Sequence, residues 1–400
     1  MIECVDKWGY TEMTVAQLIA LAGVSRRAFY EQFGNKEECF LATYDIVIAR
    51  SKKKVTEAWN TDRGWANRLH RSYQAFLDDA VRNAKGSRLA YISALGVGPK
   101  ARTRTVLAKA SYERLVAKAL KAAPDAGKQL PSIVPCAIVG GTRYVTFSRL
   151  REGREGELPG LTDELLDWLS TYRCPAAGRL NMPTIERPPR APVARTGFLV
   201  DEDKRSRALA AVMRLMIADG YAGLSDSKIA QEAGISTEAF HRHFETREEC
   251  LLVALDEFSD EAIEVARSAG ENASDWPEAV YLGTKAFADY VAAHPGLARV
   301  TLVDIYDLGF GMVDRLAGIV EKFVRALQEY GPEPLRGPIV SAEAVTGAIW
   351  SVLDACAQRN KLRSVGNLSD HLAFLVLAPY IGPKPAVESI EGTRRRLVRG

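Results

Sequence analysis

The chain repeats itself once, with a constant spacing of 211 residues between matching positions. When residues 9–41 are compared with residues 220–252, 12 of the 33 pairs are identical without a gap. Ordinary composition would give only about one match in fifteen to twenty positions. The same spacing pairs Trp65 with Trp276. Because the period is far longer than that of a solenoid unit, we expect two fused copies of one complete subunit.

A proline-rich stretch separates the two copies. Residues 173–202 contain five of the 18 prolines, a density that favours an extended linker over helix or sheet. Near the end of both copies the spacing falls to 207, where Asp163 matches Asp370. We therefore expect six segments, which are a first head (1–54), a first helical body (55–172), the linker (173–202), a second head (203–258), a second helical body (259–382) and a basic tail (383–400).

Composition excludes several classes of protein. Hydrophobic residues make up 47% and charged residues 26% of the chain, which is globular rather than disordered. A net charge of +3 excludes a strongly basic chromatin-like protein but not a local nucleic-acid surface. The six cysteines are scattered, without a CxxC pair or a His/Cys cluster, so we expect neither a metal site nor a disulfide framework. With no signal peptide and no long apolar run, we expect a cytoplasmic protein without membrane contact.

Each copy opens with the pattern of short, capped helices. In the first copy Thr14 and Gln17 form a capping box, an apolar stripe follows with helical spacing, and Gly23 ends the helix. Ser25 then caps a second short helix over 26–32, and a third, long helix follows.

The second copy has the same order, with Ser225 and Ser236 as caps and Gly234 at the turn. Two short helices joined by a glycine-containing turn indicate a helix-turn-helix. A generic helical hairpin is the alternative, and the repetition of caps, turn and aromatic spacing favours the helix-turn-helix.

Two segments carry a resemblance to a known family. TVAQLIALAGVSRRAFYEQFGNKEECFLATYD and SDSKIAQEAGISTEAFHRHFETREECLLVALDEF are similar to the DNA-binding head of TetR-type transcriptional regulators. The resemblance implies an all-α subunit with a three-helix head and a helical body that dimerises and holds a ligand. A head binds an operator, and a ligand in the body usually releases it. The tandem then implies a fused dimer, an intramolecular pseudo-dimer of TetR-like repeats, and a further dimer of chains stays open.

In such folds the second helix of the motif enters the major groove. The residues expected to contact DNA in the first head are Thr14, Ser25, Arg26, Arg27, Tyr30 and Lys36. Those expected in the second head are Ser225, Ser236, Thr237, Glu238, His241 and Arg247. Arginine can bind guanine through two hydrogen bonds, Tyr30 resembles the family's phosphate-contacting tyrosine, and the N-terminal positions of the helices favour phosphate. For Glu238 and His241 an ordinary solvated surface position is the alternative.

The two heads differ in charge. Residues 1–54 carry eight basic and seven acidic side chains, whereas residues 201–258 carry seven basic and twelve acidic ones. Because affinity for phosphate depends on local positive charge, the second head is expected to bind DNA more weakly. A ligand-binding or protein-interaction module with degenerate DNA binding is therefore the alternative to a regulator.

The bodies supply the candidate ligand residues and the expected interface. Aromatic side chains are expected to line a cavity for a small apolar effector, namely Phe76, Tyr91, Tyr144, Phe287, Tyr290 and Tyr306. Ordinary core packing is the alternative for each. By resemblance, 136–150, 161–172, 344–356 and 368–380 should form a four-helix interface between the halves.

An enzyme is not expected, because no nucleophile elbow, phosphate loop, dinucleotide fingerprint or zinc motif occurs. No cofactor is expected either. The sequence therefore predicts a ligand-responsive repressor that binds an asymmetric double-stranded DNA operator through two unlike heads.

Both ends of the chain carry an expectation of their own. At the spacing of 211 Met1 matches Val212, so about half of the opening helix has no counterpart in the first copy, and we expect the true start to lie upstream. The tail, with Arg394, Arg395 and Arg396, is expected to be disordered.

Overall fold

The structure, a computed structural model, describes residues 1–124, 130–174, 177, 180, 203–309, 311–330 and 339–399. Within these ranges the chain forms helices and turns and contains no strand. The predicted all-α fold class is therefore confirmed. The predicted linker lies outside the described residues except at 173, 174, 177 and 180.

The chain divides into two compact units, the first of which contains the described parts of 1–175, 306–314 and 338–348. Its complete helices are α1 (Ile2–Glu12), α2 (Val15–Ala22), α3 (Arg26–Gln32), α4 (Lys36–Asn60), α5 (Trp65–Arg82), α6 (Ala84–Tyr91), α7 (Pro99–Lys121), α8 (Val134–Arg151) and α9 (Thr162–Ser170).

The second unit contains the described parts of 176–305, 315–337 and 349–400. Its helices are α10 (Lys204–Asp219), α11 (Asp226–Glu232), α12 (Thr237–His241), α13 (Arg247–Gly270), α14 (Trp276–Ala293), α15 (Pro295–Leu302), α16 (Gly311–Glu329), α17 (Ile339–Gln358), α18 (Ser369–Ile381) and α19 (Pro383–Arg399). Helices α16 and α17 contribute residues to both units, so the predicted second body, 259–382, is divided between them.

Close backbone contact holds the first part of α17 within the first unit. A methyl group at Gly141 of α8 would overlap the carbonyl oxygen of Ala344 and the ring of Trp168. A methyl group at Gly347 would overlap the Tyr144 side chain. Only glycine permits this approach, and it places Glu343 beside Arg149 in the interior of the unit.

The two heads have the same order of helices but differ in the burial of matching residues. Ala22 and Ala28 of the first head are exposed, whereas the matching Ala233 and Ala239 are buried. In the second head the early residues of α10, 208–211, are fully buried. At the spacing of 211 these four residues have no counterpart in α1.

The tail forms a helix, and the expectation of disorder is wrong. Ala386, Val387 and Ile390 are fully buried on one face of α19. Arg394 lies 2.6 Å from Asp370, and Arg396 is paired with a glutamate of α14. The apolar face supplies the free energy that orders the segment, and two of its three consecutive arginines are used in ion pairs.

No helix in the described part of the chain is long and apolar enough to cross a membrane. The same residues contain no group of three or more His, Cys, Asp or Glu side chains arranged to hold a metal ion.

Candidate nucleic-acid interface and body cavity

The capping pattern predicted for the first head is present. The Thr14 hydroxyl accepts a hydrogen bond from the Gln17 backbone N–H at 3.2 Å, and the Gln17 side chain accepts one from the Thr14 N–H at 2.8 Å. Gly23 has the left-handed backbone (φ 65°) that a C-terminal glycine adopts. Ser25 Oγ then accepts from the Ala28 N–H at 3.1 Å and starts α3.

The second head repeats this geometry. Ser225 and Ser236 accept from the backbone N–H groups three residues on, at 3.2 and 3.1 Å. Gly234 has φ 63°. The local hydrogen bonds at the two turns are therefore the same, although α12 has five residues where α3 has seven.

The exposed side chains of α3 form a basic and aromatic surface. Arg27 is bonded to Glu31 one turn on, with Nε and Oε1 2.8 Å apart. Arg26 instead lies over the ring of Tyr30, with 5.7 Å between guanidinium carbon and ring centroid. Because no carboxylate of the described residues pairs with Arg26, its donors are free to bind a base edge or a phosphate.

The exposed side chains of α12 offer a different chemistry. Thr237, Glu238 and His241 are all exposed. His241 Nε2 lies 3.6 Å from Oδ2 of Asp226 on the preceding helix. This helix therefore presents a hydroxyl, a carboxylate and an imidazole where α3 presents two guanidinium groups and a phenol.

Lys36, expected at a phosphate position, lies against its own head. Its ammonium donates to the carbonyl oxygens of Tyr10, Thr11 and Met13 at 3.0, 3.2 and 3.1 Å. All three N–H donors of the ammonium are thereby used. In this structure Lys36 holds the turn before α2 in place and has no donor left for phosphate.

Arg247, at the matching position of the second head, has the same structural role. Its guanidinium donates to the Leu224 carbonyl oxygen and lies 4.8 Å from the centroid of the Tyr221 ring. It is also 2.9 Å from Glu248. Burial alone would raise the pKa of Glu248, but hydrogen bonds from Tyr221 and Arg247 outweigh it and hold that pKa at about 2. Sequence reasoning missed this role because the bonded carbonyl groups belong to a turn more than twenty residues earlier.

Comparison with known proteins agrees with this geometry. The sequence model of the bacterial regulatory proteins of the tetR family matches residues 3–43 and 208–254. Both heads are TetR-type helix-turn-helix domains. The match covers the two heads and does not extend into the helical bodies.

Two solved structures are similar to about half of this chain. One is the fatty acid degradation regulator FadR from Bacillus halodurans, at 18% identity and a TM-score of 0.39, covering 45% of this chain and 97% of that one. The other is the transcriptional regulator FadR from Bacillus subtilis in complex with stearoyl-CoA, at 16% identity and a TM-score of 0.39, covering 43% and 97%.

The body behind the first TetR-type head contains a cavity of about 270 Å³. Its walls come from α4, α5, α6, α7, α8 and α9 and are largely apolar. Of the six aromatic residues predicted to bind a ligand, Phe76 and Tyr91 line this cavity.

The other four predicted ligand residues do not line this cavity, and each contacts a neighbouring side chain. Tyr144 packs near Phe147 on its own helix, with ring centroids 6.4 Å apart. Tyr306 lies under Arg102 at 6.0 Å. In the second unit, Phe287 and Tyr290 pack against other aromatic rings.

Tyr73, Tyr91 and Tyr112 line the cavity. Tyr73 is hydrogen-bonded to Thr142, and Tyr112 donates to Ser51 at 2.9 Å. Burial raises the pKa of Tyr112 to about 12, and burial raises the pKa of Tyr73 and of Tyr91 further. All three phenols therefore stay neutral at physiological pH.

The spacing of 211 continues through the cavity walls with altered chemistry. Phe76 and Tyr112 form an edge-to-face pair at 5.8 Å, and the matching Phe287 and Phe323 form the same pair at 5.8 Å. The hydroxyl of Tyr112 is absent in Phe323, and its partner serine is replaced by Ala262. Extending the repeat comparison past residue 76 would have located these positions from the sequence.

Helix α4 connects the first head to the cavity. It begins in the head at Lys36 and supplies Ile48, Val55 and Trp59 to the cavity wall. Asp45 on this helix is 2.8 Å from Arg104 of α7. The same helix therefore belongs to the head and to the cavity wall.

A second head–body contact differs between the units. Lys85 of α6 pairs with Glu3 and Asp6 of α1 at 2.6 and 3.1 Å. At the matching positions of Asp6 and Lys85, the second unit packs Ile217 against Gly296. The contact is therefore ionic in the first unit, where salt can screen it, and apolar in the second unit.

Proposed function

We propose that this chain is a ligand-responsive transcriptional repressor that binds an asymmetric operator through two unlike heads. The observation that carries the proposal is that α3 and α12, the second helices of the two helix-turn-helix motifs, share their caps and turns but expose different side chains. A homodimer presents identical helices and prefers a site with two-fold symmetry. Two heads within one chain are free of that constraint.

The first head is expected to dominate affinity. Arg26 and Arg27 can each donate two hydrogen bonds to guanine, and the positive charge of α3 favours phosphate. Glu238 of the second head can accept from cytosine, whereas its charge repels the backbone. The two half-sites should therefore differ in sequence and in their share of the binding free energy.

The effector half of the proposal rests on the cavity and on α4. A ligand shifts the heads only by its difference in affinity between the DNA-bound and free conformations. A molecule that fills the cavity contacts three turns of α4, the helix that continues from the head. We expect its binding to lower the affinity of the first head for the operator.

Binding-site selection with the full chain and its variants tests the asymmetric reading. Arg26→Ala should cost about 1–3 kcal/mol and relax one half-site. His241→Ala should cost less and relax only the other half, and Thr237→Ala should behave likewise. Recovery of a symmetric inverted repeat, relaxed equally on both sides by either change, would point to pairing of like heads from two chains.

The pairing of halves within one chain is part of the same proposal. Light scattering should then give the mass of one chain in the absence of DNA. A stable species of twice that mass would support paired chains with four heads.

A ligand-binding or protein-interaction module with degenerate DNA binding is the second candidate. The excess of acidic side chains in 201–258 favours it for the second head. The two candidate functions can be distinguished by measuring the affinity of the chain for the DNA upstream of its gene at several salt concentrations. A regulator should lose affinity steeply as salt rises, whereas a module without DNA binding should show no complex at low salt.

A further inference from the structure

The cavity of the first unit has an unbalanced charge. Arg143 and Lys118 line it, and none of the described residues along its walls is an aspartate or a glutamate. Lys109 also lines it but has an interaction partner of its own. The neighbouring phenols cannot balance the charge, since burial keeps them neutral. A positively charged, largely apolar cavity favours a ligand that brings a negative charge of its own.

Arg143 is the best placed of the three cations to bind that charge. Its guanidinium lies over the ring of Tyr91, with 4.9 Å between guanidinium carbon and ring centroid. No carboxylate of the described residues is within ion-pair distance of it. Arg149, two turns further along α8, is by contrast held by Glu343 at 2.9 Å. Half-burial of an unpaired guanidinium is costly, and an anionic ligand would offset that cost.

The walls indicate an elongated ligand. The lining residues run from Ile48 to Asn60 on α4 and from Ala108 to Leu120 on α7. Twelve helical steps correspond to about 18 Å. Ile48 and Tyr91 pack against the same apolar cluster, so Arg143, which lies over the Tyr91 ring, is at the Ile48 end. The last turns of α4 and α7 supply Trp59, Leu120 and a second cation, Lys118, to the wall.

We infer that this cavity binds an amphipathic anion, an extended hydrocarbon chain with one carboxylate, whose charged group is held by Arg143. The inference rests on the proposed function for the presence of an effector and adds its chemical class.

The second unit lacks the same set of charges. At the repeat spacings of 211 and 207 the residues that match Lys109, Lys118 and Arg143 are Val320, Glu329 and Trp350. Two cations are replaced by apolar residues and the third by an acid. The preference for an anion therefore belongs to the first unit, and one chain should bind one such ligand.

Calorimetric titration of the full chain with three probes of one chain length tests this inference. The probes are dodecanoate, dodecanol and dodecylamine, each used below the concentration at which it forms micelles. Dodecanoate should bind at one site per chain and about tenfold or more tightly than dodecanol, because a charged hydrogen bond is gained. Dodecylamine should bind most weakly.

Variants test whether Arg143 is the residue that binds the carboxylate of the probe. Arg143→Met keeps the apolar bulk and should reduce the preference for dodecanoate over dodecanol to about twofold or less. Arg143→Lys should restore most of it and covers the case in which the methionine variant fails to fold. Arg151→Met, on the same helix but outside the cavity, is the matched control and should leave the preference unchanged.

The outcomes separate this inference from the proposed function. Equal affinity for dodecanoate and dodecanol, or no binding of dodecanoate, would overturn the anionic class. A ligand of another class that fills the cavity and weakens operator binding would still support the repressor. Tight, Arg143-dependent binding of dodecanoate without any effect on operator binding would support the ligand class and contradict the effector role.

Discussion

The ion pair between Arg149 and Glu343 should be the most sensitive single contact in the first unit. Nη1 and Nη2 of Arg149 donate to the two carboxylate oxygens of Glu343 at 2.9 and 3.0 Å. Only 2% of the arginine side chain and 10% of the glutamate side chain are exposed. Glu157 lies 3.3 Å from the arginine Nε and is 47% exposed. The partners are 194 residues apart in the chain, so the pair fixes a distant segment within the unit.

Removing one partner leaves the other buried and uncompensated. Glu343→Leu should lower the free energy of unfolding by about 3–5 kcal/mol, nearer the lower figure because Glu157 still faces the guanidinium. Arg149→Met should cost a similar amount. The double variant replaces the pair by apolar groups of similar volume and should lose about 1 kcal/mol or less, because the desolvation penalty of both charges disappears. The two changes should therefore be strongly non-additive.

The assay is urea unfolding of the four proteins in the double-mutant cycle. Hydrogen exchange of peptides from α8 should accompany it, because a chain with two units need not unfold in one step. Arg154→Met is the matched control, since Arg154 pairs with glutamates at the surface and is 49% exposed. It should cost far less than Glu343→Leu, because an ion pair at the surface contributes little to stability. If Glu343→Leu cost no more than this control, or if the double variant lost the sum of the single losses, the argument from burial would be wrong.

Three further results are expected. Gly141→Ala should destabilise the first unit by about 1–3 kcal/mol through overlap with its neighbours, and Gly160→Ala, which meets no atom within 4 Å, should be neutral in the same urea titration. A carboxylate whose folded pKa is depressed contributes stability above its unfolded pKa and loses that contribution as the pH falls. Glu248→Gln should therefore reduce the loss of stability that the second head shows on acidification between about pH 4.5 and pH 2. An unchanged acid-unfolding profile would contradict this. Ser25→Ala and Ser236→Ala should each cost about 1 kcal/mol, and the corresponding glycine variants only a few tenths; equal losses from alanine and glycine, by hydrogen exchange in each head, would mean that the caps do not carry the effect.

The heads could be predicted from the sequence because their structure is local. The Thr14 capping box and the Ser25 cap join atoms three residues apart, and Gly23 sets its own backbone conformation. Such signals need no knowledge of the rest of the fold. The second copy made them more reliable, because the same hydrogen bonds recur around Ser236.

The cavity could be predicted only in part. Aromatic residues of the bodies were expected to line it, but aromatic composition does not tell a cavity wall from a packed core. Phe76 and Tyr91 line the cavity, whereas Tyr290 stacks on a neighbouring ring. Arg143 carried no sequence signal, since a lone arginine on a helix is normally solvated.

The sequence by itself determined the repeat, the helices of both heads and the unlike chemistry of their exposed residues, because each of these depends on contacts within a few turns of chain. Only the tertiary structure decided which distant groups the other charged side chains contact. It placed Lys36 on three carbonyl oxygens of an earlier turn, brought Glu343 to Arg149, and ordered the tail through Arg394 and a buried apolar face. The physical reason is that the free energy of a charge depends on its solvation and its partners, and both are set by segments that folding brings together from distant parts of the chain.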